Sequence, residues 1–557
     1  MSDISDRRDE ETLADLGYKQ ELQRAWSGFT NFAISFTIIS VLAGTFTTTQ
    51  VAWNAGGPMA VSIGWPVLCC LVLLVAVSMA ELTSAFPTAG GPYWWAAKLG
   101  GAGWSWFTGW FNIAGLVGIV ASVGYGAASF LYATLGLYGL NIFGVNFGDS
   151  SHVITETFGI YLVVLALYCV LNIFSSPLLG MLNNISVWWH VLGVAILVAL
   201  LVFVPDHHQG AGWVFGHKIN NTGFDGGATG GLPFWFLVIP TGFILTMYTM
   251  TGYDASAHTA EETRGAAVSA AQGVWRSVLL SAVIGWFVLL ALMFAATNVK
   301  GINAGGGGSI PMITTALSSS AAKAVLIICT VGQLFCGMAG LTSASRTWYA
   351  FSRDRGMPGW PLFRRLNHHR VPTYAVLGVT VAALVISIPA LWSNKAGFPF
   401  AFVALTGICT LGLYIAYIIP VYLRVRQGDA FQHGPWNLGR HYRWINWGAI
   451  AFVGLVVISA DLPFAHAGVP WNADFDATVF NYTPLVIVLG LIVGVWWQLS
   501  AKHRYTGPVR TLEETEAELE GAAPAGPRMQ APPTASGEEP PIRPKEPPPA
   551  PTTPSSP

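Results

Sequence analysis

The residues with the most chemistry to offer lie in TMYTMTGYDASAHTAEET (246–263), where an apolar run arriving from Phe234 turns polar at Thr251-Gly252 and sets Asp254 just beyond the glycine. A helix broken inside a membrane frees backbone N–H and C=O groups, and hydrocarbon offers them no partners. Such a break persists only where protein, water or a substrate supplies those partners. A carboxylate at that depth is costly and marks a functional site by default. The competing reading makes Gly252 a close-packing glycine and Asp254 the cap of a helix that restarts at Ala255. A second interruption falls at Val41-Leu42-Ala43-Gly44-Thr45-Phe46, again near the middle of an apolar run. His190 sits well inside NNISVWWHVLGVAIL (183–197). Its imidazole is the side chain whose ordinary titration spans neutral pH, and the alternative is a core histidine bonded to a neighbouring carbonyl.

The elements that must position these groups follow from composition. Of 557 residues, 53% are hydrophobic and only 10% are charged. A soluble domain carries about a quarter charged residues, so most of this chain has a bilayer as its solvent. The net charge of −1 points to no polyanionic partner, and no basic block with interleaved aromatics suggests nucleic acid. About twelve apolar runs are long enough to cross about 30 Å of hydrocarbon. They are 29–54, 60–86, 106–135, 158–174, 185–204, 234–258, 274–296, 324–346, 374–392, 400–423, 445–460 and 484–499. The expected fold class is therefore an all-α integral membrane protein.

With an even number of spans both ends share a side. That side holds Lys98, Arg264, Arg276, Arg346, Arg353, Arg355, Arg364, Arg365, Arg370, Arg424, Arg426, Arg440 and Arg443, while the opposite loops hold Lys218, Lys300, Lys323 and Lys395. Both termini are predicted to be cytoplasmic. Trp104, Trp106, Trp188, Trp189, Trp496 and Trp497 fall near predicted span ends, as interfacial anchors do. Cys69, Cys70, Cys169, Cys329, Cys336 and Cys409 lie in apolar runs without metal-ligand or disulfide spacing and read as buried thiols. Residues 1–27 read as a cytoplasmic N-terminal tail with no removable signal peptide. Residues 501–557 read as a disordered Pro-rich cytoplasmic tail.

Counting five spans per unit, the two interruptions occupy corresponding places in spans 1 and 6. Five is odd, so the two units cross the membrane in opposite directions, the signature of an inverted repeat. Repeat one covers about 28–204, repeat two about 234–423, and two added helices about 445–499. In such folds the broken pair makes a midplane site, with half-helix N-termini facing an anion and half-helix C-termini facing a cation. That arrangement suits a zwitterion.

Several stretches carry a resemblance. LGYKQELQRAWSGFTNFAISFTIISVLAGT (16–45), Glu81-Leu82 with AFPTAGGPYWW (85–95), FTGW (107–110), TGYDASAHTAEET (251–263) and SRTWYAFSRDRGMP (345–358) together resemble the amino acid-polyamine-organocation superfamily of permeases. The nearest branch is similar to amino acid/choline transporters, which include 4-aminobutyrate permeases. The resemblance implies two inverted five-helix repeats plus two C-terminal helices, broken helices 1 and 6, and alternating access. Carried over, the glycine-rich break of span 1 falls on Leu42, Ala43, Gly44 and Thr45, with Leu42 and Ala43 where the family commonly has Gly and Ser. The aromatic gate of span 6 falls on Tyr248, and the acidic position on Asp254. The implied substrate site is Leu42, Ala43, Gly44, Thr45, Tyr248, Thr249, Thr251, Gly252 and Asp254. Some proton-coupled members place a lysine where His190 stands. The expected coupling residues are His190 and, from the polar face Thr342, Ser343 and Ser345 of span 8, Ser343.

Glu81, Glu262 and Arg346, with Glu261, Arg264 and Arg353, are candidates for an inner gate, the alternative being ordinary solvated charges worth little individually. The chain shows no nucleophile–base set, metal motif or phosphate-binding loop, which excludes an enzyme and an ATP-driven pump. The expected function is a secondary transporter in the plasma membrane. It would import an amino acid, 4-aminobutyrate or a related amine with a co-transported proton or sodium ion, and with no cofactor. A choline or polyamine permease of the same fold, or a nutrient-sensing receptor on a transporter scaffold, are the alternatives.

Overall fold

The computed structural model describes residues 2–142, 145–147, 152–174, 176–392 and 400–508. Eleven helices are long and apolar enough to cross a membrane among the described residues: Gly28–Asn54, Pro58–Ala85, Ala102–Leu137, Val153–Phe174, Ser176–Phe203, Gly231–Thr249, Ala266–Ala295, Ser319–Arg353, Thr373–Leu391, Ala404–Ala430 and Gly439–Asp461. A twelfth apolar helix, Leu485–Leu499, has 15 residues. At 1.5 Å per residue it is about 22 Å long, shorter than the others. These are spans 1 to 12, and span 6 resumes beyond its break as the short helix Ala255–His258 and the turn that follows it. Exposed apolar side chains such as Val163, Leu192, Phe287 and Leu491 cover the outside of the bundle, where a soluble protein would carry charge. The chain is a multi-pass, all-helical membrane protein.

Spans 1 and 6 lie antiparallel along their whole length. Trp26 bridges to Thr263 at the face that holds both ends of the bundle. Ser35 Oγ donates to the Tyr253 carbonyl at 2.9 Å, halfway along. At the opposite face a Cβ on Gly242 would lie 2.4 Å from the Ala55 carbonyl. Matching positions therefore run in opposite directions along the pair, and the breaks meet at one depth. Span 1 is interrupted between Ile39 and Gly44, and span 6 between Thr249 and Ala255.

Each break survives because side chains take over the lost helix bonds. Cys336 Sγ reaches the Ile38 carbonyl at 3.1 Å, and Tyr414 OH donates to the Met250 carbonyl at 3.2 Å. Thr251 Oγ1 donates to the Tyr248 carbonyl at 2.7 Å. These are the internal partners that a lipid environment demands of any non-helical backbone. The flanking threonines follow the same logic, with Thr48 Oγ1 donating to the Gly44 carbonyl at 2.7 Å.

Three expectations are corrected here. Trp106 is buried among Trp110, Trp496, Trp497 and Tyr505 rather than at an interface. Trp188 and Trp189 fall near the middle of span 5, because that helix starts at Ser176 and not at 185. Of the six cysteines, Cys70 is exposed on the outside of the bundle while the other five are buried; it occupies the outward face of span 2, where an apolar thiol needs no cover in lipid.

The ends of the chain also depart from free tails. Residues 18–26 pass beneath the bundle with Tyr18, Leu22 and Trp26 buried. Within the expected C-terminal tail, Tyr505 is buried and its hydroxyl lies 2.6 Å from Ser105 Oγ. Residues 509–557 of that tail, and Lys395 among the loop lysines, lie outside the described residues.

Candidate functional site

The two breaks enclose a small cavity lined by Ile38, Ile39, Gly44, Ile119, Val123, Tyr248, Thr249, Thr251 and Cys336. Its empty volume is about 240 Å3, yet the part that a water centre can reach is only about 10 Å3. That is room for roughly one water, so the cavity is occluded. Two glycines set its walls. A Cβ on Gly44 would lie 2.8 Å from Thr249 Cα, so the half-helices touch here backbone to backbone. Gly252 has φ +82°, and a Cβ there would meet Ile38 Cγ2 at 2.2 Å. Only glycine fits both the left-handed backbone and the space.

Of the nine expected substrate residues, Gly44, Tyr248, Thr249 and Thr251 are brought together around this cavity, with Gly252 directly behind its wall. Tyr248 closes one side, its hydroxyl 2.8 Å from Ser122 Oγ of span 3. Leu42 turns instead toward span 8, where a Cβ on Gly332 would lie 2.8 Å from it. Ala43 and Thr45 are buried without lining the cavity, and Thr45 Oγ1 bonds to the Val41 carbonyl. Asp254 points away. Its Oδ1 accepts from Tyr417 OH at 2.7 Å, and its Oδ2 accepts from Asn112 Nδ2 at 3.0 Å and faces His258 Nε2 at 2.9 Å. Sequence reasoning missed the apolar lining, Ile38, Ile39, Ile119, Val123 and Cys336, because nothing in an all-apolar run separates a cavity wall from a lipid face. It also missed Asn112, His258 and Tyr417. His258 stood four residues from Asp254, a helical spacing that signals the pair.

His190 is fully buried between the break of span 1 and span 8. Its Nε2 lies 2.6 Å from Ser40 Oγ and its Nδ1 lies 2.8 Å from the Ser186 carbonyl. A neutral ring satisfies both contacts: Nδ1–H donates to the carbonyl and Nε2 accepts the serine proton. Ser343 is not beside it. A Cβ on Gly332 would lie 3.6 Å from His190 Nε2, and Ser343 is three helical turns further along span 8, about 16 Å away. Its hydroxyl is buried without a partner, near the terminus-bearing face. His190→Gln is expected to lower thermal stability by about 1–3 kcal/mol, the cost of disturbing a buried hydrogen-bonded pair. A melting curve of the purified variant checks it.

The terminus-bearing face is sealed by ion pairs. Glu262 holds Arg346 through two contacts of 2.8 and 3.5 Å. Glu261 holds Arg353 through contacts of 3.1 and 3.2 Å, and its Oε1 also accepts the Ala89 N–H at 3.0 Å. All four side chains are at most 3% exposed. They are therefore not solvated surface charges. Glu81 pairs with Arg424 at 3.0 Å rather than with Arg346, in a separate buried pocket where the guanidinium also lies over the rings of Phe431 and Tyr442. The N-terminal segment adds a further layer, because Tyr18 OH donates to Asp354 and the Arg353 guanidinium stacks 4.1 Å over the Tyr18 ring.

The opposite face carries a depression of about 410 Å3, lined by Phe46, Thr47, Gln50, Tyr125 and Gly126, of which Phe46 and Tyr125 lie two residues beyond the cavity residues Gly44 and Val123. The arrangement is a small cavity at the two breaks, sealed by ion pairs toward one face and with a depression toward the other. Among the described residues no three His, Cys, Asp or Glu side chains are grouped to hold a metal ion.

The sequence is similar to those of known proteins. A family model described as amino acid permease matches residues 27–492. The chain is 35% identical over 517 residues to the amino-acid permease BAT1 of Arabidopsis thaliana, covering 90% of this chain and 96% of that protein. It is 34% identical over 519 residues to a homolog of that permease in Oryza sativa, covering 90% of this chain and 95% of that protein. It is 26% identical over 523 residues to the GABA-specific permease of Saccharomyces cerevisiae, covering 91% of this chain and 87% of that protein. These relatives are named as transporters of amino acids or amines and not as enzymes. The chain belongs to the amino acid permease family.

Proposed function

We propose that this permease is a plasma-membrane secondary transporter that imports amino acids or closely related amino compounds, 4-aminobutyrate among them, by alternating access driven by an inward proton gradient. The observation that carries the reading is the pairing of two helix breaks around one occluded cavity, with ion pairs sealing one face and a depression on the other. The sealed face is the one rich in arginine, so it is the cytoplasmic side with both termini. The substrate then approaches from outside, and inward release requires Glu262–Arg346 and Glu261–Arg353 to part.

The choice among amines rests on Asp254. A choline or polyamine site needs a carboxylate or aromatic cage facing the cation, whereas both Asp254 oxygens are taken up by Tyr417, Asn112 and His258. What the cavity offers is the start of the half-helix at Gly44, whose positive end suits a carboxylate. Amino acids therefore fit better than simple amines. Proteoliposomes loaded to give an acid-outside gradient are expected to accumulate at least one compound from a panel of amino acids, 4-aminobutyrate, choline and polyamines, with carboxylate-bearing compounds preferred. Accumulation of none of them overturns the reading, and accumulation that needs sodium and ignores pH overturns its proton part.

A further inference from the structure

The pair formed by Asp254 and His258 is fully buried and joins the break of span 6 to the sealed cytoplasmic face. Its hydrogen bonds form one chain. The Gly252 N–H donates to Tyr417 OH at 3.2 Å, which leaves that hydroxyl free to donate to Asp254 Oδ1 at 2.7 Å. Asp254 Oδ2 faces His258 Nε2 at 2.9 Å, and His258 Nδ1 lies 3.1 Å from the Ala89 carbonyl. Ala89 belongs to the loop between span 2 and the helix Pro92–Gly100, and its N–H is held by Glu261 of the inner seal.

Donors and acceptors can be counted. Both ring nitrogens of His258 face acceptors, a carbonyl and a carboxylate. The carbonyl has no proton, so Nδ1 carries one. Were Nε2 bare and Asp254 ionised, two lone pairs would oppose each other at 2.9 Å in a site without water. A proton therefore lies between Oδ2 and Nε2, on either atom, and the pair as a whole is neutral. The other groups facing it do not supply that proton's charge. They are Asn112 from span 3, Tyr417 and Cys409 from span 10, Tyr253 on the break itself, and Glu261 behind Ala89, which is already paired with Arg353.

We propose that Asp254 and His258 together carry the transported proton, one per cycle, and that its release is what unlocks the cytoplasmic side. This rests on the reading of the protein as a proton-driven permease. With the proton in place, Nδ1–H holds the Ala89 carbonyl and the loop stays against Glu261. When the proton leaves to the cytoplasm, the neutral ring has one N–H left. That N–H turns to the carboxylate, the stronger acceptor, and the Ala89 carbonyl is abandoned. The loop then loses one of its two ties to span 6, and the seal formed by Glu261 and Arg353 loosens. Once the emptied carrier has turned back, reprotonation from the outside restores the locked arrangement. The role is distinct from that of His190, whose two bonds need no extra proton.

Asp254→Asn is the decisive variant, because its amide imitates the protonated pair: one N–H donates to His258 Nε2 while the amide oxygen still accepts from Tyr417. Asn112 can turn its amide to suit, since its Oδ1 is buried without a partner. In proteoliposomes with the membrane potential clamped at zero and labelled 4-aminobutyrate or the best compound of the panel as probe, a gradient of one pH unit permits the parent up to about tenfold accumulation. Asp254→Asn is expected to give neither accumulation nor exchange of labelled for unlabelled probe, because its cytoplasmic side stays locked, while still binding the probe. Accumulation by Asp254→Asn equal to the parent overturns the proposal, and so does loss of accumulation in His190→Gln with retention in Asp254→Asn.

Should Asp254→Asn not insert, Tyr417→Phe decides. It removes one hydrogen bond to the carboxylate, so the pair holds its proton more tightly and the pH of half-maximal uptake moves up by about one unit. An unmoved pH profile overturns the proposal. Failure of the parent itself to accumulate any panel compound under the gradient overturns the transport reading beneath it, which separates the two.

Discussion

Gly252→Leu is expected to abolish transport, and by a route that the geometry specifies. The residue has φ +82°, a conformation that costs a side-chain-bearing residue about 1–2 kcal/mol. The first added carbon would also stand 2.2 Å from Ile38 and 3.3 Å from Ile119, both of which line the cavity. Pushing those side chains inward fills a space that already holds no more than about one water, and overpacking of this kind costs about 1–3 kcal/mol more. Substrate affinity should fall beyond detection while the protein still reaches the membrane, because the surrounding spans are untouched. Gly44→Ala tests the facing wall, where the added methyl would meet the Thr249 backbone at 2.8 Å. Radioligand binding on purified protein, with surface labelling as the control for folding, checks both. Unchanged affinity in either variant removes the cavity from consideration as the substrate site.

Arg346→Gln is expected to shift the conformational balance rather than the site. Its removal strands the Glu262 carboxylate, only 1% exposed, with Ser176 as its remaining partner. Breaking a buried pair from one side costs about 3–5 kcal/mol. The carboxylate recovers its hydration if the cytoplasmic face opens, so the same energy favours the inward-open state by a factor on the order of a hundred or more. Ser343→Cys supplies the reporter, since its hydroxyl is buried without a partner one turn above the gate. Its alkylation from the cytoplasmic side should accelerate about a hundredfold in the Arg346→Gln background. Glu262→Gln together with Arg346→Gln removes both charges and should return the rate toward that of the parent. An alkylation rate indifferent to Arg346 would mean that this pair is no gate.

How legible the site was depended on whether a residue's role was local. The breaks of spans 1 and 6 were readable because glycine and polar residues interrupt long apolar runs, and because matching places in two repeats reinforce each other. The depth of Asp254 was also readable. Its partners were not, since Asn112, Tyr417 and Ala89 come from distant spans and loops, and only packing decides which of many buried polar groups a carboxylate meets. Asp254, expected at the substrate, turns away from the cavity for that reason: burial next to a break does not say which way a side chain turns. His190 and Ser343 looked like parts of one coupling site on residue type alone, and the length of span 8 separates them.

The sequence by itself determined the membrane as solvent, the approximate spans, the side that gathers arginine and the two interruptions, because each follows from hydropathy, length or local backbone freedom. Tertiary structure decided what the charges do. Glu81, Glu261 and Glu262 could each have been solvated, and only the convergence of spans 2, 6, 8 and 10 buries them against Arg424, Arg353 and Arg346. It also turned Tyr18 and Trp26 of an apparently free tail into part of the seal, and joined His258 to both Asp254 and the Ala89 loop. Such contacts depend on residues hundreds of positions apart meeting at one depth, which no local pattern encodes.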